Sequence, residues 1–377
     1  MDLAAQNKFF EYLHNFQIRE IPEDTNFWMI RSKSGYFYDE FVQEEFIALG
    51  WNYIQKDTVI DSQTIETLKT GIKDRYGDKV PMTAINKCKR FITELKAGDY
   101  VVIPNSGSSK IAIGIVGEYY EIADLDYTKE LIDIKKIENK ECQITEIKCP
   151  YKKRRAIEVI LQIPTNKVGY NVLRSLSSYH GLSCMNDYAI DILNCIYDCY
   201  GYKGDLIFNL NVGKEEPIRP REVAGLMYGV TSFFGGTFDE EDLSVSLNLN
   251  SPGKVTEKLK GGFNKLKRSA IPLAAIYIAV VGGSGLGFEL PGVLGFIKQA
   301  KTLDIEVEKE KAELDSLQLE NLEKVLKIIE EAENEGINVD EALNGLDTLQ
   351  GLKETLYIQD NSTFAGVVSE EEDVVEE

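Results

Sequence analysis

The sequence predicts an α+β chain of several domains: a strand-rich front, a mixed middle, and a rear made of one apolar stretch followed by a long helix. Three observations predict it. Residues 95–122, LKAGDYVVIPNSGSSKIAIGIVGEYYEI, set two β-branched runs on either side of Asn105-Ser106-Gly107, residues that tolerate positive φ, and so describe a hairpin. Residues 61–96 and 303–335 instead carry apolar side chains at helical spacing. From Ser269 to Ile297 the chain holds a single charged side chain, Glu289, and nothing else in it is so apolar. With 377 residues there is room for two or three domains, since one core rarely grows past about 250 residues.

Taken in order, residues 1–23 read as an N-terminal helix with Phe9, Phe10, Leu13 and Phe16 on one side, ending before Pro22. FWMIRSKSGYFYDEFVQEEFIALGWNYI, residues 27–54, reads as strand, turn at Ser34-Gly35, short amphipathic segment and second strand. Helical spacing follows through Ile65, Leu68 and Ile72, then Ile85, Phe91, Ile92 and Leu95, before Gly98-Asp99 turns into the hairpin. The polar, lysine-rich residues 123–150 are expected to be a loop or an edge hairpin. CPYKKRRAIEVILQIP, residues 149–164, returns as a strand bearing the densest basic cluster of the front half, Lys152, Lys153, Arg154 and Arg155.

Residues 166–255 predict a second α+β domain. It has two helices, the second presenting Tyr188, Ile192, Cys195, Ile196 and Cys199 on one face, then a strand over KGDLIFNLNV. A helix over 218–233 should break at Gly235-Gly236, ahead of an alternating strand with Leu243, Val245, Leu247 and Leu249 inward. Residues 256–300 form a basic and then apolar, glycine-rich segment, with Lys258, Lys260, Lys265, Lys267 and Arg268 ahead of the apolar run. Crossing a bilayer takes roughly 20 apolar residues in one helix. Here Gly282-Gly283-Ser284-Gly285 interrupts the run, which leaves halves at 271–281 and 290–297 suited to a buried helical hairpin or a re-entrant membrane segment. Residues 301–358 read as a helical oligomerisation region, with a short seam of Leu322, Val325, Ile329 and Ala332 and a capping Gly336. The acidic tail, 359–377, is expected to be disordered.

The charge of −20 disfavours sequence-independent DNA binding by the chain as a whole, so a nucleic-acid site must be a local basic patch. MDLAAQNKFFEYLHNF lacks the apolar core of a secretory leader, so a reducing cytoplasm is expected, or its membrane face if 269–297 meets lipid. The six cysteines form no CxxC pair and the only histidines are His14 and His180, so neither metal nor cofactor is expected. His180 stands near Ser183 and Cys184, but no GxSxG elbow accompanies them, and no catalytic residue is assigned. Val280-Val281-Gly282-Gly283-Ser284-Gly285-Leu286-Gly287 does not complete a dinucleotide fingerprint. The nearest nuclease-like carboxylate–lysine pairs, Glu257-Lys258 and Glu310-Lys311, fall in helix-like sequence. A non-enzymatic reading is therefore favoured.

One set of spaced signatures goes further. Trp28 to Arg31 (W-x-I-R), Gly50-Trp51, Leu95 to Pro104 (L-x-x-G-D-x-V-V-I-P), Ile111 to Tyr119, and Tyr151 to Val159 (Y-x-x-R-R-x-I-E-V) occur in that order. Together they resemble the PUA-like, EVE-type small β-barrel that accompanies modification-dependent restriction enzymes and phage-defence proteins, over residues 24–165. The resemblance implies a barrel that takes a flipped, modified base into an aromatic cage, a chemistry in which the base offers a π face for stacking and an edge for hydrogen bonds. Trp28, Trp51 and Tyr53 would stack, with Arg31, Lys152, Lys153, Arg154 and Arg155 at phosphate. Against this, a strand tryptophan is commonly core, and a basic run is commonly a solvated edge that discourages strand pairing.

The resulting expectation is a phage-defence-type sensor and effector. Its front binds a nucleotide or a short, modified nucleic acid and controls a rear part that forms homo-oligomers, contacts membrane through 269–297, or meets an operon partner protein. The alternatives are a pore-forming membrane effector with the front as a regulatory cap, and a modification-dependent nuclease with an unrecognised site.

Overall fold

Asp2 opens the first helix, α1 (Leu3–Asn15), by accepting a hydrogen bond from the Ala5 amide at 2.8 Å, and a short strand, β1 (Arg19–Ile21), follows. In this computed structural model the described residues are 1–143, 146–176, 181–238, 243–248, 253–264, 270–281, 292–302 and 316–359. His180, the glycine run at 282–287, Glu289, residues 303–315 and the tail from 360 lie outside them. The chain divides into two units: Met1–Glu23 joined with Ile196–Glu377, and Asp24–Cys195 between them.

The Asp24–Cys195 unit contains, in order, β2 (Phe27–Ile30), α2 (Tyr38–Gln43), β3 (Phe46–Leu49), α3 (Ile65–Tyr76), α4 (Pro81–Lys89), β4 (Tyr100–Pro104), β5 (Lys110–Glu121), α5 (Tyr127–Glu138), β6 (Lys153–Pro164), α6 (Tyr170–Ser175), β7 (Leu182–Cys184) and α7 (Ala189–Leu193). Its six strands form one sheet in the order β3-β6-β5-β4-β2-β7. The expected hairpin is β4–β5, antiparallel and joined at Ser106–Ser108, where Gly107 takes φ 71°. The long β5–β6 pair shifts register after Ile113 and again after Val116, extra residues that bend and twist a strand pair.

Two expectations differ here. Much of 123–150 is helix, because Asp126 caps α5 by accepting from the Lys129 amide at 2.8 Å. Its inward face carries Glu130 and Asp133 beside Ile134 and Ile137, so the helical period was written partly in charged residues. The unit also extends beyond residue 165. Strand β7 pairs with β2 through Trp28 opposite Cys184, which ties 166–195 to the front sheet rather than to the residues up to 255.

The remainder of the other unit contains β8 (Cys199–Tyr202), β9 (Asp205–Val212), α8 (Pro220–Thr237), β10 (Leu243–Asn248), β11 (Gly253–Leu259), α9 (Ala270–Val281), α10 (Val293–Thr302), α11 (Ser316–Asn334), α12 (Val339–Leu356) and β12 (Ile358–Gln359). The sheet order is β1-β8-β9-β11-β10, with β12 also on β9. Cys199 stands on a strand, not on a helix with Cys195. The cause is a tight β8–β9 hairpin, whose turn places Lys203 at φ 52° and Gly204 at φ 76°. Gly235-Gly236 does not break α8, because Gly236 serves close packing instead: a Cβ there would lie 2.7 Å from the Ala342 amide nitrogen of α12. Residues 256–259, expected to begin the basic and then apolar segment, belong to β11, the strand between β9 and β10.

One core organises this unit. Phe9 and Tyr12 of α1 and Phe16 just after it join Phe208, Phe233, Phe234 and the apolar helices α9 and α10. The seam of Leu322, Val325, Ile329 and Ala332 is buried in the same core. Among the described residues no helix is long and apolar enough to cross a membrane.

Candidate functional site

Within the Asp24–Cys195 unit, the loop after β3 is the most heavily constrained stretch. Trp51 takes φ 59°, a conformation in which a bulky residue is an outlier and which the surroundings must hold. Its amide and that of Asn52 both donate to the Glu130 carboxylate at 2.7 Å, and the Tyr76 hydroxyl donates to the same group at 2.8 Å. From the other side the Lys153 ammonium donates to the Trp51 and Ile54 carbonyls at 2.8 and 2.9 Å. Asn52 reaches the Asp126 and Pro150 carbonyls and accepts from the Lys152 amide. Gly50 is required for the close approach, since a Cβ would sit 2.7 Å from Glu130 Oε1. Burial pushes the Glu130 carboxyl up and the Lys153 ammonium down from their ordinary values, opposed by these hydrogen bonds and by the charge each offers the other.

What this clamp presents is a set of half-buried rings with cations on them. The Trp51 indole donates to Asp78 Oδ2 at 2.6 Å, and the Lys87 ammonium stands 5.6 Å from the ring centroid. The Arg75 guanidinium lies 4.2 Å from the Tyr53 ring and 5.2 Å from the Tyr127 ring, and the two tyrosines meet edge to face at 6.5 Å. Tyr53 packs where Gly71 leaves room on α3. Arg75 and Tyr127 are exposed, while Trp51, Tyr53 and Lys87 are partly so. Cation–π pairs of this kind contribute about 0.5–1 kcal/mol at exposed sites and hold the rings in place.

The residues expected at the site separate into two groups. Trp51 and Tyr53 come together on this face. Trp28 does not join them: it is 4 % exposed in the sheet, donating its indole N–H to Asp99 at 2.9 Å, and Asp99 also accepts from the Asn26 and Lys96 amides. Arg31 donates to the Leu176 carbonyl. Along β6 the period of two turns Lys153 and Arg155 inward. Arg155 donates to the Phe91 and Ile92 carbonyls of the π-helical turn Arg90–Glu94 that continues α4, and to Gly117 within the bulged part of β5, groups that a helix end and a bulge leave short of partners. Arg154 lies over the Phe46 ring and donates to the Cys149 carbonyl at 2.9 Å, and Lys152 is half-buried. The basic cluster is thus chiefly a fastening for backbone carbonyls. Glu130, Arg75, Tyr76, Asp78, Lys87 and Tyr127 were not anticipated. Their sequence signal is weak: Arg75, Tyr76, Asp78 and Lys87 lie in or beside helices read for their apolar period, and Tyr127 and Glu130 lie in a stretch that reads as a loop.

Among the described residues no cluster of His, Cys, Asp and Glu could hold a metal ion. A family model described as a domain of unknown function, DUF8426, matches residues 28–148, a span that contains Trp51, Tyr53, Arg75, Asp78, Lys87, Tyr127 and Glu130 but not Pro150, Lys152 or Lys153. No curated protein and no solved structure matches the chain.

Proposed function

We propose that the Asp24–Cys195 unit is a PUA-like reader that binds a nucleotide or a short, modified nucleic acid on the Trp51–Tyr53 face and passes occupancy to the rest of the chain, as in a phage-defence sensor. The observation that carries this reading is a pair of partly exposed rings, flanked by Arg75 and Lys87, on a loop locked in a strained conformation. Base–aromatic stacking is worth about 1–3 kcal/mol per base, and a rigid platform loses little entropy on binding. Two local cations also answer the objection raised by the net charge of −20, because they bring phosphate to one face of an otherwise repelling molecule. The bulged β5–β6 pair supports closure of the sheet into a small barrel as part of the same proposal. In this reading Trp28, Lys153 and Arg155 belong to the frame and Trp51, Tyr53, Arg75 and Lys87 to the ligand.

Fluorescence polarisation with labelled single-stranded oligonucleotides, with and without a modified base, tests it on wild type, Trp51→Ala and Arg75→Ala. Saturable binding by wild type and at least tenfold weaker binding by both variants is the expected outcome. Absence of binding by wild type to every probe removes the reader assignment.

A further inference from the structure

Glu257, on β11, is the one ionisable side chain besides Cys199 in the row formed across the sheet by Cys199, Phe208 and itself. It is 0 % exposed, between the buried Val255 and Leu259 on the same face, and neither carboxyl oxygen has a hydrogen-bond partner among the described residues. The helix over this part of the sheet is α9, whose Tyr277 ring lies 5.6 Å from that of Phe208 and whose hydroxyl is likewise buried with no partner among the described residues. Buried polar groups are almost always paired, so two orphans in one apolar contact call for an explanation.

We propose that Glu257 is a proton-operated latch for α9: with the carboxyl protonated the helix stays seated on the sheet, and loss of that proton to solvent unseats it.

Among the described residues the groups facing the carboxyl offer no counter-charge. Tyr277 comes from α9, Cys199 from β8 with Asp198 just before it, and Tyr12 from α1 donates its hydroxyl to the Ala275 carbonyl of α9 at 3.0 Å. Phe233 and Phe234 of α8 pack on Tyr277, and Lys353 of α12 donates to the Val280 carbonyl at the end of α9. Burial drives the Glu257 carboxyl well above its ordinary value, and its charge, once formed, would oppose ionisation of Tyr277. A carboxylate made here can gain water only by parting the layers that cover it. The β9–β11 ladder resists that, whereas α9 contributes no ladder hydrogen bonds. The sign follows from linkage. A carboxyl whose value is raised in the closed state gives its full stabilisation below the value of the free group, about 4.3, and loses it as pH rises toward the raised value.

Hydrogen exchange of the intact chain, followed peptide by peptide and corrected for intrinsic rate, reads the latch directly. In wild type the protection of 270–281 should fall about tenfold per pH unit above pH 5, the slope for one proton released on opening. Peptides from β9 and α8 should keep their protection. Glu257→Gln and the apolar Glu257→Met should both flatten the α9 profile. An equal slope in wild type and both variants overturns the latch, and so does a loss shared equally by β9, α8 and α9.

Discussion

A tryptophan at φ 59° persists only because its neighbours over-determine it, and at Trp51 they are a buried carboxylate on one side and a buried ammonium on the other. Both charges serve the backbone: Glu130 accepts from two amides, besides the Tyr76 hydroxyl, and Lys153 donates to two carbonyls. Replacing Lys153 with Met leaves the Trp51 and Ile54 carbonyls without a donor. It should cost about 2 kcal/mol of stability, measured as a lower urea midpoint at unchanged slope. Trp51 and Tyr53 became candidates through the family resemblance, which named Trp28 equally, and nothing local separates the partly exposed indole from the buried one. The use of Lys153 and Arg155 was not legible. Four consecutive basic residues read as a surface, and nothing local in the sequence reveals that carbonyls stranded by a helix end and a bulge lie across the fold to receive them.

Among the elements, most helices and strands follow from period alone, including the β4–β5 hairpin, α3, α4 and α11. Those that did not follow show the limits of period. Helix α5 hides half its inward face in Glu130 and Asp133, and α8 runs through a glycine pair. The glycines have a packing purpose, because α8 and α12 approach closely along Gly229, Gly236 and Gly345. A Cβ at Gly345 would lie 2.5 Å from the Phe233 amide nitrogen and 2.6 Å from the Gly229 carbonyl oxygen. Gly345→Ala should therefore destabilise by about 1–3 kcal/mol through overpacking. On the same helix Gly351 is exposed, a Cβ there would meet nothing within 4 Å, and Gly351→Ala should stabilise by about 0.5–1 kcal/mol through helix propensity. Thermal unfolding of the two variants side by side checks the sign of each.

For the molecule entire, the division at Glu23/Asp24 and Cys195/Ile196 was the least legible feature. It depends on β1 pairing in parallel with β8, Arg19 opposite Tyr200, and on Phe9 and Tyr12 of α1 and Phe16 just after it being buried in a core made by residues beyond 196. Pairings so distant in sequence leave no local pattern, so the first helix read as a separate appendage. The apolar stretch was visible at once, but its apolarity alone does not choose between lipid and a protein core; where it is described, α9 and α10 lie in the core of their own unit. The central claim is that ligand meets the chain at Trp51. The two tryptophans allow a direct check, since Trp28 is buried and Trp51 is partly exposed. Titrating the oligonucleotide that binds best into Trp28→Phe should quench its remaining indole emission in a saturable manner, while Trp51→Phe should show no change. Emission from Trp28→Phe that stays constant while the labelled probe is bound would contradict the account.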